Sequence, residues 1–220
     1  MLPKIKAVIF DFDYTLADSA QGAIDCINSA LTAMALPAAS DEAICKTIGL
    51  SLPATYEVLT GDFTRERAAE FARLFVQRAG QVMVDKTAVF ETVKPTVTLL
   101  KQQGLKLGIV STKYRYRIEQ ILRRDGLLSF FDVIVGGEDV PAHKPDPAGL
   151  LAALERLACP PAEALYVGDA LPDAETAERA NVVFIATLSG VTPSKGFHSF
   201  KVHLFIDSLL ELPEQIKNYE

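Results

Sequence analysis

Hydrophobic and polar positions alternate along this chain in two different textures. Between about Asp18 and Lys86 the apolar positions keep helical spacing throughout. Ile24, Ile27, Leu31 and Met34 follow a 3-4-3 rhythm, with Asp18 or Ser19 as cap. Pro53 opens a second stretch running to Leu59, and Phe71, Phe75, Ala79 and Val82 mark a long helix capped by Thr64. From Lys94 onward, short apolar runs alternate with amphipathic ones. The pattern predicts a helix from about Pro95 to Gln103 closed by Gly104, a strand over 107–111, a helix near 114–124 and a strand over 133–136. A helix over 147–158, a strand over 164–168, a helix over 173–180 with Asn181 as left-handed cap, and strands near 183–187 and 203–206 complete it.

Such alternation implies a parallel sheet with helices on both faces, a three-layer α/β core of Rossmann-like type. The strand near residues 5–10 belongs to that sheet, so the helical block is an insert after strand one. The expected division is residues 1–16 with 87–220 for the core and 17–86 for the helical domain. Linkers near 14–18 and 84–93 permit a hinge, and with it a lid that closes over substrate.

Three apolar runs end in chemistry. Ala7-Val8-Ile9-Phe10 is followed by Asp11 and Asp13, which point to one side of an extended chain while Phe12 packs away. Two carboxylates that close are costly to bury without a cation, and an oxygen-seeking divalent metal such as magnesium resolves the conflict. Leu107 to Val110 runs into Ser111, Thr112 and Lys113; Leu165 to Gly168 runs into Asp169, with Asp173 four residues on. Lys144 stands in His143-Lys144-Pro145-Asp146-Pro147, ahead of prolines suited to a first helical turn. A lone DxD is no more than an acidic strand end, but in a parallel sheet these strand ends meet in one crevice.

In that order and spacing, the segments resemble the four motifs of the haloacid dehalogenase (HAD) superfamily: Asp11-Phe12-Asp13-Tyr14-Thr15-Leu16, Ser111, Lys144, and Gly168-Asp169 with Asp173. The resemblance covers the whole chain. It implies a helical cap of the C1 type and phosphoryl chemistry, since dehalogenases lack the second aspartate. Asp11 would be the nucleophile, giving an aspartyl-phosphate, and Asp13 the general acid and base. Ser111 and Thr112 would bind phosphoryl oxygens, and Lys144 would neutralise their charge. Asp11, Asp169 and the backbone carbonyl of Asp13 would hold Mg2+. Asp173 would reach the metal through water or, as favoured, orient the shell, unless it is only the charge or cap at the start of its helix. Tyr14 departs from the glycine usual at its position and is expected to pack.

The segment Lys46-Thr47-Ile48-Gly49-Leu50-Ser51-Leu52 resembles the cap loop of phosphoglycolate phosphatases and the related pyrophosphatase. Lys46 is there either a leaving-group contact or a solvated helix-end lysine. Phosphoglycolate is the favoured substrate, with pyrophosphate or a sugar phosphate as alternatives. A β-phosphoglucomutase-type isomerase is a rival, weakened because Leu50, Ser51 and Leu52 stand where mutases carry an arginine. A non-catalytic phosphate-binding module is a second rival, although every residue the chemistry needs is present.

The 220 residues suffice for one large domain or a domain with a small insert, and a hydrophobic content of 49% supports a sizeable core. A net charge of −6 argues against nucleic acid or an anionic membrane as partner. Lys113, Arg117 and Arg124 read as a solvated helix face, and Tyr114 and Tyr116 as rings pointing apart; His143, beside Lys144, either approaches the site or, as favoured, is a surface-loop histidine. Cys26, Cys45 and Cys159 lack metal spacing and suit reduced thiols of a cytoplasmic protein. No apolar run approaches a membrane span or signal peptide. The expected partner is a small phosphorylated metabolite, and the expected state a monomer or homodimer.

Overall fold

Apolar runs bounded by turn residues become the strands of a parallel sheet in the computed structural model, which describes residues 4–217. Along the chain come β1 (Ala7–Phe10), β2 (Ala17–Asp18), α1 (Ala20–Ala33), α2 (Asp41–Cys45), α3 (Leu52–Thr60), α4 (Arg65–Val82) and β3 (Ala88–Val89). They are followed by α5 (Val93–Gln102), β4 (Lys106–Val110), α6 (Arg115–Arg124), β5 (Val133–Val135), α7 (Ala148–Arg156) and β6 (Ala164–Gly168). The series ends with α8 (Leu171–Ala180), β7 (Val183–Thr187), β8 (Leu204–Ile206) and α9 (Leu212–Lys217). Two compact units result: one runs to Ala17 and resumes at Val89, and the other is Asp18–Ala88.

The first unit is the α/β core. Its sheet has the order β5-β4-β1-β6-β7-β8, and every pairing is parallel. The central strands are buried along their whole length, as strands covered on both faces must be. Ile9, Val110, Leu150, Leu154, Tyr166, Ala174, Phe184 and Phe197 belong to one apolar cluster that joins sheet and helices. Phe10 of β1 stands level with Ile109 of β4 on one side and Val167 of β6 on the other. That register brings the ends of three neighbouring strands, carrying Ser111, Asp11 and Asp169, to one edge. β1 lies where the connections diverge, the position at which open α/β sheets build sites.

The second unit is the helical cap. Ala23, Ile27, Ala30 and Leu31 of α1 pack with Tyr56 of α3 and with Ala68 and Phe71 of α4, and Ile44 of α2 joins them. Ser40 and Ser51 cap α2 and α3 by accepting from Ala43 N and Ala54 N. Asp25 on α1 takes the Arg78 guanidinium of α4 at 2.6 Å and Lys86 Nζ at 2.6 Å. Those two cations pull its carboxyl down to about 2. Four elements escape the sequence pattern: α2 spans five residues and α9 six, too few for a period to show, and β2 and β3 span two each. Among the described residues no helix is long and apolar enough to cross a membrane.

Candidate active site

The nucleophile candidate is set by the sheet. Asp11 continues β1 and donates its N–H to Val167 O at 2.8 Å, so it is held extended at the strand end. The chain then turns sharply, with Phe12 O accepting from both Leu16 N and Ala17 N. Tyr14 lies inside this turn at φ 59, the left-handed region, which accounts for glycine being usual in related sequences. Its ring is buried, as a packing role requires. Ser189 Oγ donates to Tyr14 O at 2.5 Å, tying the turn to the loop after β7.

Asp11, Asp169 and Asp173 are all buried, and each offers a carboxylate oxygen within 4.8 Å of the others. Lys144 reaches into this group, with Nζ 2.8 Å from Asp11 Oδ1 and 2.6 Å from Asp173 Oδ1. Asp173 is fully engaged: its Oδ1 also accepts from Tyr166 Oη at 2.9 Å, and its Oδ2 from Ala170 N at 3.1 Å. Asp173 therefore stands as a cap at the start of α8 and, in a role the sequence did not offer, as an anchor for Lys144. Thr15 Oγ1 donates to Asp169 Oδ1 at 3.2 Å.

Electrostatics follow from this crowding. Burial pushes the Asp11 carboxyl up to about 7, with Lys144 opposing the rise and Asp173 adding to it. Burial likewise drives Asp169 well above the carboxylate range, reinforced by Asp173 and Asp11. Burial alone would lower Lys144, but the Asp11 and Asp173 carboxylates outweigh it and hold the ammonium well above its ordinary value. With Asp173 committed to Lys144 and Tyr166, Asp11 and Asp169 are two buried, mutually repelling oxygen donors. That is a donor set suited to a hard divalent cation, which takes one or two protein carboxylates and completes its shell with other oxygens.

Close approach dictates two glycines here. A Cβ on Gly168 would lie 2.5 Å from Asp173 Cγ, and one on Gly190 would lie 1.9 Å from Asp169 Oδ2. On the far side of β1, Ser111 receives Lys113 N on its Oγ at 3.2 Å, which leaves the hydroxyl proton free to donate. Ser111, Thr112, Gly136, His143 and Lys144 line a small hollow beside it.

Three sequence expectations are corrected. Lys113 is not on a solvated face: it precedes α6, its side chain is only 8% exposed, and its Nζ lies 3.1 Å from Asp13 Oδ1. Arg117 is buried as well, its guanidinium over both Tyr114 and Tyr116 at 5.5 and 5.2 Å. Those two rings do not point apart but stand 5.9 Å from each other, because Tyr114 caps the helix instead of lying in it. His143 is half-buried with its Nδ1 shielded from solvent, and burial lowers its pKa. Lys46, in the cap, is 63% exposed and pairs with Glu42 at 2.6 Å. Sequence reasoning gave no role in the site to Lys113, Thr15, Tyr166 or Gly190. Of these only Lys113 carried a signal, two residues beyond a strand end that already bore Ser111.

A family profile described as haloacid dehalogenase-like hydrolase matches residues 8–187. Phosphoglycolate phosphatase of Escherichia coli K12 is 31% identical over 197 residues, covering 80% of this chain and 78% of that protein. The enzyme of the same name from Salmonella typhi is 32% identical over 200 residues, covering 81% and 79%. Among solved structures, a Bacteroides fragilis protein described as a haloacid dehalogenase-like hydrolase superposes with a TM-score of 0.92 at 41% identity, covering 95% of this chain and 100% of that one. With strand-end acids, a buried lysine and this ancestry in agreement, the chain belongs to the haloacid dehalogenase-like hydrolases and is a phosphatase of that family.

Proposed function

We propose that this phosphatase depends on magnesium and hydrolyses a small phosphorylated metabolite through an aspartyl-phosphate on Asp11, with phosphoglycolate the favoured substrate. The observation that carries the reading is the placement of Asp11. It is a buried carboxylate at the end of β1, 2.8 Å from the Lys144 ammonium and beside Asp169.

A carboxylate oxygen of Asp11 attacks phosphorus, and the bond to the leaving oxygen breaks. Asp13 gives that oxygen a proton, then takes one from the water that attacks phosphorus and frees Asp11. The Ser111 hydroxyl and the Thr112 amide donate to phosphoryl oxygens, and Lys144, oriented by Asp173, neutralises their charge. Asp11, Asp169 and the Asp13 carbonyl would hold magnesium, which when bound screens the repulsion between phosphoryl group and carboxylates. Phosphoglycolate is favoured because relatives about one-third identical bear that name and because the Lys46–Leu52 segment resembles their cap loop. The isomerase alternative lacks comparable support, since Leu50, Ser51 and Leu52 stand where mutases carry an arginine.

The test is phosphate release from 2-phosphoglycolate, pyrophosphate and a set of sugar phosphates, with magnesium, with EDTA, and with Asp11→Asn. Metal-dependent release that the substitution abolishes is the expected result. An intact, metal-loaded protein that releases phosphate from none of them would sink the proposal and leave interconversion of sugar phosphates as the next assay.

A further inference from the structure

The cation nearest the general acid is Lys113 of the core, and its surroundings suggest a task beyond partnering Asp13. Its backbone is fixed from two sides, the N–H donating to Ser111 Oγ at 3.2 Å and the C=O accepting from Gly137 N at 3.1 Å. Its ammonium is held by Asp13 at 3.1 Å, and with 8% of the side chain exposed it is poorly screened by water. A general acid must come within roughly 2.6–3.2 Å of the oxygen it protonates. A cation 3.1 Å from Asp13 Oδ1 consequently stands within about 6 Å of the leaving oxygen when Oδ1 delivers the proton, and within about 8 Å when Oδ2 does. A two-carbon hydroxy acid spans about 3 Å from its alkoxide oxygen to its carboxylate, so that carboxylate and the ammonium are within ion-pair reach. Lys46 is the weaker counter-ion, being 63% exposed and already paired with Glu42.

We propose that Lys113 is a specificity determinant that binds the carboxylate of a short anionic leaving group. This rests on the phosphatase reading above and assigns the recognition of the leaving group to the core. Substrates whose leaving group is neutral gain nothing from Lys113.

The experiment compares kcat and KM for 2-phosphoglycolate and ethyl phosphate, which share a two-carbon chain and differ in the carboxylate. Wild type, Lys113→Met, Lys113→Arg and Lys46→Met are assayed together, with thermal melts to check folding. The wild type is expected to prefer 2-phosphoglycolate. In Lys113→Met the preference falls by about 30-fold or more, mainly through KM, as loss of a buried ionic contact to substrate predicts. Lys113→Arg retains most of it, and Lys46→Met leaves it within about threefold, the range of a screened surface charge. Should the methionine variant not fold, Lys113→Gln, which keeps a donor for Asp13, makes the same comparison. Equal losses on both esters would show that Lys113 serves Asp13 alone and would overturn the inference, as would a wild type without preference or a preference lost in Lys46→Met. Failure of the wild type to release phosphate from any ester is a different result: it removes the phosphatase reading and this inference with it.

Discussion

Asp173 holds Lys144 against Asp11, yet its own charge also raises the pKa of Asp11 and Asp169. These effects oppose each other in stability but not in activity. Asp173→Asn keeps an oxygen for Tyr166 and Lys144 while removing the charge that fixes the ammonium. Lost attraction to Lys144 is offset by relieved repulsion among the acids, so the variant should unfold within about 2 kcal/mol of wild type. Phosphate release should fall about 100-fold, because Lys144 is then free to misalign. Urea unfolding and steady-state kinetics on the same preparation check both halves. Gly190→Ala acts through shape alone: its Cβ would start 1.9 Å from Asp169 Oδ2, so the carboxylate must move. Activity should drop by about 100-fold or more, the usual cost of a displacement near 1 Å, and magnesium affinity should weaken in parallel by calorimetry. Such a contact is invisible in sequence, since Gly190 comes from a loop 21 residues beyond Asp169. Asp11, Ser111 and Asp169 were legible because each ends an apolar run; Lys113 and Arg117 were not, because their burial depends on the 110s turn and on a stack of two rings.

At the scale of elements, period and punctuation carried most of the information. The 3-4-3 rhythm places Ile24, Ile27 and Leu31 on α1 and Met34 at its C-cap, Asn181 closes α8 at φ 54, and Gly104 follows α5 at φ 80. α8 begins two residues earlier than periodicity predicted, because Ala170 and Asp173 close a capping interaction around Leu171 and Pro172. The pairing of α1 with α4 is reinforced by a feature that local pattern cannot show, the ion cluster of Asp25 with Arg78 and Lys86. Asp25 is pulled down to about 2 by those cations, below its unfolded value near 4, so its stabilisation is present above about pH 4. It is lost as pH falls from about 4 through about 2. Asp25→Asn should therefore destabilise the cap helices by about 1–2 kcal/mol at pH 7, allowing for solvent screening, and by almost nothing at pH 2. Urea titrations monitored by circular dichroism at both pH values decide this, and an equal difference at both would assign the effect to packing instead.

For the whole molecule, the burial of Asp11 and Asp169 is a cost the fold bears for its site. Burial raises Asp11 to about 7 and drives Asp169 well above the carboxylate range, while the same groups in the unfolded chain titrate near 4. From about pH 4 to about pH 7 the folded state therefore holds more protons than the unfolded one, and these two groups make stability fall as pH rises. A divalent cation binding both carboxylates reverses the penalty and competes with the protons, so its effect should grow with pH. At about 100 times its dissociation constant, magnesium would contribute about 2.7 kcal/mol, a rise in melting temperature of about 5–10 °C for a chain of this length. The rise should be larger at pH 8 than at pH 6. Asp169→Asn removes one of the two repelling charges, so the metal-free variant should melt above metal-free wild type while losing the magnesium response. Differential scanning calorimetry of both proteins, with and without magnesium at the two pH values, reads all of these signs at once. A metal-free variant that melts below wild type would mean that Asp169 contributes more through its hydrogen bond from Thr15 than it costs through its charge.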